Sequence, residues 1–169
     1  MDEAINKILN RLSLTARLVI GVKCFERYCQ QHTLSCESVQ TLIDYLWLWP
    51  VIEGPNDFLP WESQPIALKD SAFGDALPAD VVAVLKLSEV SEATFESLIE
   101  ALIDIIWSSF WGAPEDPLSL ENLETVFQLT NTHELPDLAP FDISLNADKE
   151  GNGHTLTAQQ RDEWRQLAW

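Results

Sequence analysis

Cys24, Cys29, His32 and Cys36 form a C-x4-C-x2-H-x3-C array. Three thiolates and an imidazole would suit tetrahedral zinc. The spacing argues against that use on a helix. Cys29 and His32 share a face, but Cys24 lies five residues back and about 140° round, and Cys36 falls past the expected helix end. The array therefore reads as buried core thiols with one surface histidine. Asn146-x-Asp148-x-Glu150-Gly151 has the outline of a calcium loop, but Asn stands where the first Asp belongs and Thr157 where the bidentate Glu belongs. It reads as a turn. His32, His133 and His154 have no evident nucleophile to serve, and G-x-S-x-G, P-loop, G-x-G-x-x-G and H-E-x-x-H patterns are all missing. The expectation is a binding protein and not an enzyme, with no catalytic residue, no cofactor and no metal.

The carboxylates are a different matter. Ser91 to Trp111, SEATFESLIEALIDIIWSSFW, places Phe95, Leu98, Ile99, Leu102, Ile103, Ile105, Ile106, Phe110 and Trp111 at helical spacing. Its second half, from Ile103 to Trp111, is apolar almost all round and reads as core. Glu92, Glu96, Glu100 and Asp104 follow one another at i,i+4 steps with no base among them. Like charges so placed cost a helix roughly 0.2–0.5 kcal/mol per pair, so folding alone does not account for them. Glu115, Asp116, Glu121 and Glu124 extend the acidity onto the neighbouring turn and helix.

The whole chain shares this bias, unevenly. Of 169 residues, 27 are acidic and 10 basic, for a net charge of −17. Residues 1–27 hold three acids and five bases. Residues 28–147 hold 20 acids and only Lys69 and Lys86 as bases. Nucleic acid and anionic membrane are poor partners for such a field, and a basic protein is a good one. A hydrophobic content of 46% with seven Trp and seven Phe excludes a disordered acidic tail. No run approaches the roughly 20 apolar residues of a membrane span. The opening MDEAINKILN lacks an apolar signal region, and three cysteines suit reduced thiols in the cytoplasm.

The elements that must position these groups are helical. The pattern predicts a short helix over 3–12 and another over 79–87, where the β-branched run also allows a strand, and longer ones over 14–32, 36–49 (capped by Ser35), 91–111 and from Asp116–Pro117, or else Ser119, to about 129. A last helix begins at the capping box Thr157-x-x-Gln160. Gly21 falls inside the second helix, where it costs about 1 kcal/mol relative to Ala and admits a close neighbour. Helices two and three are expected to pair as a hairpin. Residues 50–78, broken by Pro50, Pro55, Pro60, Pro65 and Pro78, read as a long connection with at most one helical turn. Ile143–Leu145 and His154–Leu156 are able to pair across a Gly-rich turn. The expected fold is a single-domain, all-α bundle of about six to seven helices over residues 1–169, with room for a small β-hairpin near 143–156.

The run RLSLTARLVIGVKCFERYCQQHTLSCESVQTLIDYLW resembles the opening of small all-helical bacterial proteins encoded beside polymorphic and contact-dependent growth inhibition toxins. Arg17, Cys24, the Glu26–Arg27 pair, and Leu46–Trp47 at a helix end are the matching positions. IDIIWSSFWGAPEDP and LPDLAPF extend the likeness, which covers about two thirds of the chain. The resemblance implies an immunity protein that binds and blocks one cognate toxin, and it carries no catalytic residue. Together with the charge, it implies a cytoplasmic inhibitor of a basic toxin such as a nuclease. Its contact residues would be Glu92, Glu96, Glu100, Asp104, Glu115, Asp116, Glu121 and Glu124, with Trp side chains as anchors. The alternative is an acidic secretion chaperone or helical adaptor that holds a protein client in an apolar groove.

Overall fold

The structure, a computed structural model, describes residues 3–107, 117–132 and 135–168. Among these the fold is all-α, with no strand. The helices are α1 (Glu3–Arg11), α2 (Leu14–Gln31), α3 (Glu37–Leu46), α4 (Pro55–Glu62), α5 (Ala67–Ser71), α6 (Ala79–Leu85), α7 (Glu92–Trp107), α8 (Leu118–Leu129) and α9 (Ala158–Gln166). Short 3-10 turns at Trp49–Val51, Ala139–Ile143 and Lys149–Gly151 link some of them.

The centre of the molecule is α2 as much as α7. Ser13 caps α2, its Oγ accepting from the Ala16 N–H at 3.1 Å. Every residue from Leu14 to Phe25 is buried, because α7 and α8 pack on α2 and on each other while α3 leans on it from another side. Gly21 permits the approach of α7. A Cβ there would stand 2.8 Å from Ile105 Cδ1 and 3.2 Å from Leu102 Cδ1. Phe95, Leu98, Ile99, Leu102, Ile103, Ile105 and Ile106 fill the space so formed. The expectation that Ile103 to Trp111 is core holds for Ile103, Ile105 and Ile106, whereas Trp107 is half-buried and 108–111 lie outside the described residues.

The charge of Arg17 inside this core is met mainly by backbone carbonyls. Arg17 is 4% exposed. Its Nε donates to the Leu9 carbonyl at 3.1 Å, one terminal nitrogen to the Asn10 carbonyl at 3.2 Å, and the other to Ser119 Oγ at 2.7 Å. One guanidinium thus joins the C-terminus of α1 to the first turn of α8. The start of α3 borrows its cap from another helix. Cys36 occupies the N-cap without a side-chain bond, and Asp80 of α6 accepts from the Ser38 N–H at 2.9 Å and the Ser38 hydroxyl at 2.8 Å. The expected Ser35 cap is therefore replaced by a carboxylate far along the chain.

Two other expectations are corrected. Residues 50–78 contain two helices, α4 and α5. Gly54 turns at φ 72° and Pro55 starts α4 at a position that needs no N–H. The buried Trp61 then fixes it, stacking on Tyr45 at 4.6 Å and donating from Nε1 to the Tyr45 carbonyl at 3.0 Å. The hairpin near 143–156 does not form. Leu145 makes a lone antiparallel bridge with Leu12, the Asn146 N–H bonds to the Arg11 carbonyl at 2.8 Å, and the Leu156 N–H bonds to the Pro50 carbonyl at 2.8 Å. The backbone groups a hairpin would have paired are spent on other parts of the fold, and Lys149, Gly151 and Gly153 all take positive φ between them.

The chain closes on itself at the start of α2. Ser13 Oγ and Ser144 Oγ lie 2.7 Å apart, both buried. Gly153 passes directly over them at φ 81°, where a Cβ would stand 2.3 Å from Ser144 Oγ. Gly153→Ala should therefore lower stability by about 1–3 kcal/mol, through overpacking and backbone strain, read as a lower urea midpoint. Asp80→Ala should cost about 1 kcal/mol as a lost cap. Its hydrogen bonds from Ser38 hold the Asp80 carboxyl below its ordinary pKa. That stabilisation is present above the unfolded-chain pKa and is lost as pH falls through the lower folded value. The difference between wild type and variant should close in acid, as thermal melts across pH would reveal.

Candidate functional site

The acidic helix comes first. Ser91 begins it, accepting from the Thr94 N–H at 3.1 Å. The apolar positions of α7 turn toward α2, α8 and α5, which leaves one narrow face outward. Glu92, Glu96 and Glu100 are exposed on it, and Asp104 is half-buried at its end. The helix field treats the two ends differently. Glu92 sits in the first turn, where the dipole favours an anion, and Asp104 near the last, where it does not. Burial and then the neighbouring Glu100 raise the Asp104 carboxyl above its ordinary pKa.

The other expected contact residues divide. Glu121 is exposed in the first turn of α8. Glu124 is half-buried and accepts a hydrogen bond from Asn6 Nδ2 of α1 at 3.4 Å. Glu115 and Asp116 lie outside the described residues. The structure thus gathers Glu92, Glu96 and Glu100 on one solvent face and assigns Glu124 partly to internal bonding.

The expectation of core thiols holds for Cys24 and Cys29, while His32 is half-buried against the Tyr28 ring at 4.4 Å and not a bare surface histidine. Cys24 and Cys29 are buried, Cys36 is half-buried, and all three are free thiols. Burial pushes the Cys24 and Cys29 thiols well above the ordinary range. Among the described residues no group of three or more His, Cys, Asp or Glu side chains is placed to hold a metal ion. In the 146–151 turn, Asp148 instead accepts from the Leu145 N–H at 3.4 Å and lies 3.5 Å from His154 Nε2.

A second feature was not anticipated. A groove of about 690 Å³ opens between α4, the start of α2 and residues 149–155. Trp49, Phe58 and Trp107, each half-buried, meet around the buried Trp61, with ring centroids 5.1, 6.0 and 5.4 Å from it. Leu59 is 60% exposed at the rim. Glu53 and Glu62 stand on the α4 side, and Lys149 and His154 opposite. Trp49 Nε1 donates to Thr15 Oγ1 at 3.1 Å, and Thr15 Oγ1 donates to the Asn152 carbonyl at 2.8 Å. This relay fixes the floor to the far wall. The signal in the sequence was an aromatic series, Trp49, Phe58 and Trp61, inside a proline-rich stretch, and proline there obscured the helix that carries it.

The positions behind the family resemblance are mainly structural. Arg17, Cys24, Leu46 and Trp47 are buried. Glu26 accepts from Trp47 Nε1 at 3.0 Å, and burial raises its carboxyl pKa against that bond. Arg165 pairs with Asp44 and lies 5.7 Å from the centre of the Trp47 ring. Among the described residues no helix is long and apolar enough to cross a membrane. Comparison with family models, curated proteins and solved structures returned no match.

The raised Asp104 carboxyl gives a signed test of the face. Its charged form is disfavoured in the folded chain, so stability contributed at this position rises as pH falls through the folded pKa. Asp104→Asn should raise the melting temperature near neutral pH, with a gain that shrinks on acidification. A neutral variant less stable than wild type at pH 7 would show that the charge at 104 is needed for folding.

Proposed function

We propose that this chain is an immunity-type inhibitor that binds a basic protein, most simply a cognate toxin of the nuclease class, through the exposed face of α7. The exposed Glu92–Glu96–Glu100 series carries the reading. Three like charges on one face repel one another and find no base beside them in their own helix. A cationic partner removes that repulsion and is drawn in by the field of a chain with net charge −17. A surface that holds phosphate in a nuclease is basic by necessity, and a protein covering it would block substrate entry without any chemistry of its own. Such an inhibitor would act in the cytoplasm, where the producing cell needs protection. The resemblance of the first helices to proteins found beside toxins points the same way.

A second reading, an acidic secretion chaperone or helical adaptor, draws its support from the aromatic groove, since a client segment needs an apolar seat. Charge reversal separates the two. Glu96→Lys with Glu100→Lys alters exposed positions only, so the fold should survive. The immunity reading expects the cognate basic protein, recovered by pull-down with products of adjoining genes, to lose at least tenfold in affinity and most of its salt dependence. Truncating one charge at the centre of such an interface typically costs about 2–5 kcal/mol. Unchanged affinity and salt slope would exclude the α7 face, and recovery of many unrelated clients would favour the chaperone.

A further inference from the structure

Asn152 and Gly153 stand where the chain closes on the start of α2, and they form its only Asn-Gly step. That step is chemically labile. The backbone nitrogen after an asparagine can attack the side-chain amide carbon, and glycine, with no Cβ, hinders that attack least. A bond forms between Gly153 N and Asn152 Cγ, and the nitrogen's proton leaves with the side-chain NH2 as ammonia. Water then opens the cyclic imide at one of its two carbonyls. Opening at Cγ leaves an aspartate. Opening at the main-chain carbonyl leaves an isoaspartate, whose backbone runs through Cβ. Water is the only co-reactant, and it reaches Asn152, which is half-buried.

The closed fold opposes the first step. The Gly153 N–H donates to the Asp148 carbonyl at 3.1 Å, so the nucleophile keeps its proton. Asn152 Nδ2 donates to the Lys149 carbonyl at 3.4 Å, which ties the side-chain amide to the preceding turn. The Asn152 carbonyl accepts from Thr15 Oγ1 at 2.8 Å, and Gly153 is buried over Ser13 and Ser144. The peptide between the two residues is thus held at both ends and does not rotate to bring nitrogen and carbon together.

We propose that Asn152–Gly153 is a self-modification site kept masked by the closure of residues 145–156, and that the reaction, once it has occurred, prevents reclosure. Isoaspartate formation turns the carbonyl that accepts from Thr15 into a pendant carboxylate. It also adds a methylene to the main chain beside Gly153, where not even a Cβ has room. The wall of the groove opposite α4 then loses its tie to α2.

Hydrogen exchange at the Gly153 amide and ring closure on its nitrogen require the same local opening, which gives a quantitative test. The full chain and the free peptide acetyl-Lys-Glu-Gly-Asn-Gly-His-Thr-amide are held in mildly alkaline buffer. Mass spectrometry reads conversion at position 152, and electron-transfer fragmentation separates isoaspartate from aspartate. Conversion in the folded chain should be at least tenfold slower than in the peptide, and slowed by the same factor as exchange of the Gly153 amide. Thr15→Val should speed both reactions together, as should urea held below the unfolding midpoint of the unaltered chain. Conversion at the peptide's rate, or an unchanged rate while Gly153 exchange quickens, overturns the masking. The purified isoaspartyl chain should exchange its Gly153 amide at least fivefold faster than the unmodified chain, whereas Asn152→Asp, which adds the charge without the methylene, should stay close to it. Equal protection in the isoaspartyl chain overturns the block on reclosure.

Discussion

A single buried guanidinium holds the first and last thirds of the core in register. Arg17 sits at the meeting point of α1, α2 and α8, and among the described residues no carboxylate forms an ion pair with it. Its charge is met by carbonyls at the C-terminal end of α1, where the helix dipole is negative, and by the Ser119 hydroxyl. Burial makes the charge costlier and draws its pKa down, yet an arginine stays protonated at any ordinary pH. The three acceptors are therefore obligatory. Removing them would strand a cation in the core, a penalty of several kcal/mol. The orientation of α1 and the entry of α8 follow from that one requirement.

The same economy shapes the surface. Bases are scarce, and several are turned inward. Arg17, Lys23 and Lys69 are all buried, with Lys23 donating to the Arg165 carbonyl at 3.2 Å and Lys69 wedged among aromatic rings. Arg165 is engaged by Asp44. Cations that might have neutralised the outer carboxylates instead fasten helices together. The acidic character of the exterior is thus sharper than the residue count conveys, and the exposed face of α7 is where it is most regular.

Much of the helical layout was legible because amphipathic spacing and terminal signals agree. The stripe Leu14, Leu18, Val22, Phe25, Cys29 is buried as its period requires, and Thr157 with Gln160 closes a capping box. Gly21 marked a close approach whose partner, α7, only the packing could name. Less was legible where long-range pairing overrides local pattern. The β-branched and Gly-rich residues of 143–156 have hairpin chemistry, but Leu12 and Pro50 compete for their backbone groups and win. The proline count of 50–78 suggested a loop, because local statistics register the breaking effect of Pro60 and not the anchoring effect of Trp61 against Tyr45. For the site, the exposure of Glu92, Glu96 and Glu100 followed from helix geometry alone. The diversion of Glu124 to Asn6 and the existence of the groove depended on contacts between distant segments, which no single stretch encodes.

The wall opposite α4 is supplied by residues that join the start of α2 across a separation of 137 positions, through the bond from Thr15 to Asn152. Closing so long a span is entropically slow relative to local helix formation. During synthesis, α1 to α8 can assemble while the aromatic floor still lies open on one side. The recess takes shape only when Gly153 settles over Ser13 and Ser144. The recess therefore takes form only after residues 149–155 have been made and have folded back onto the start of α2.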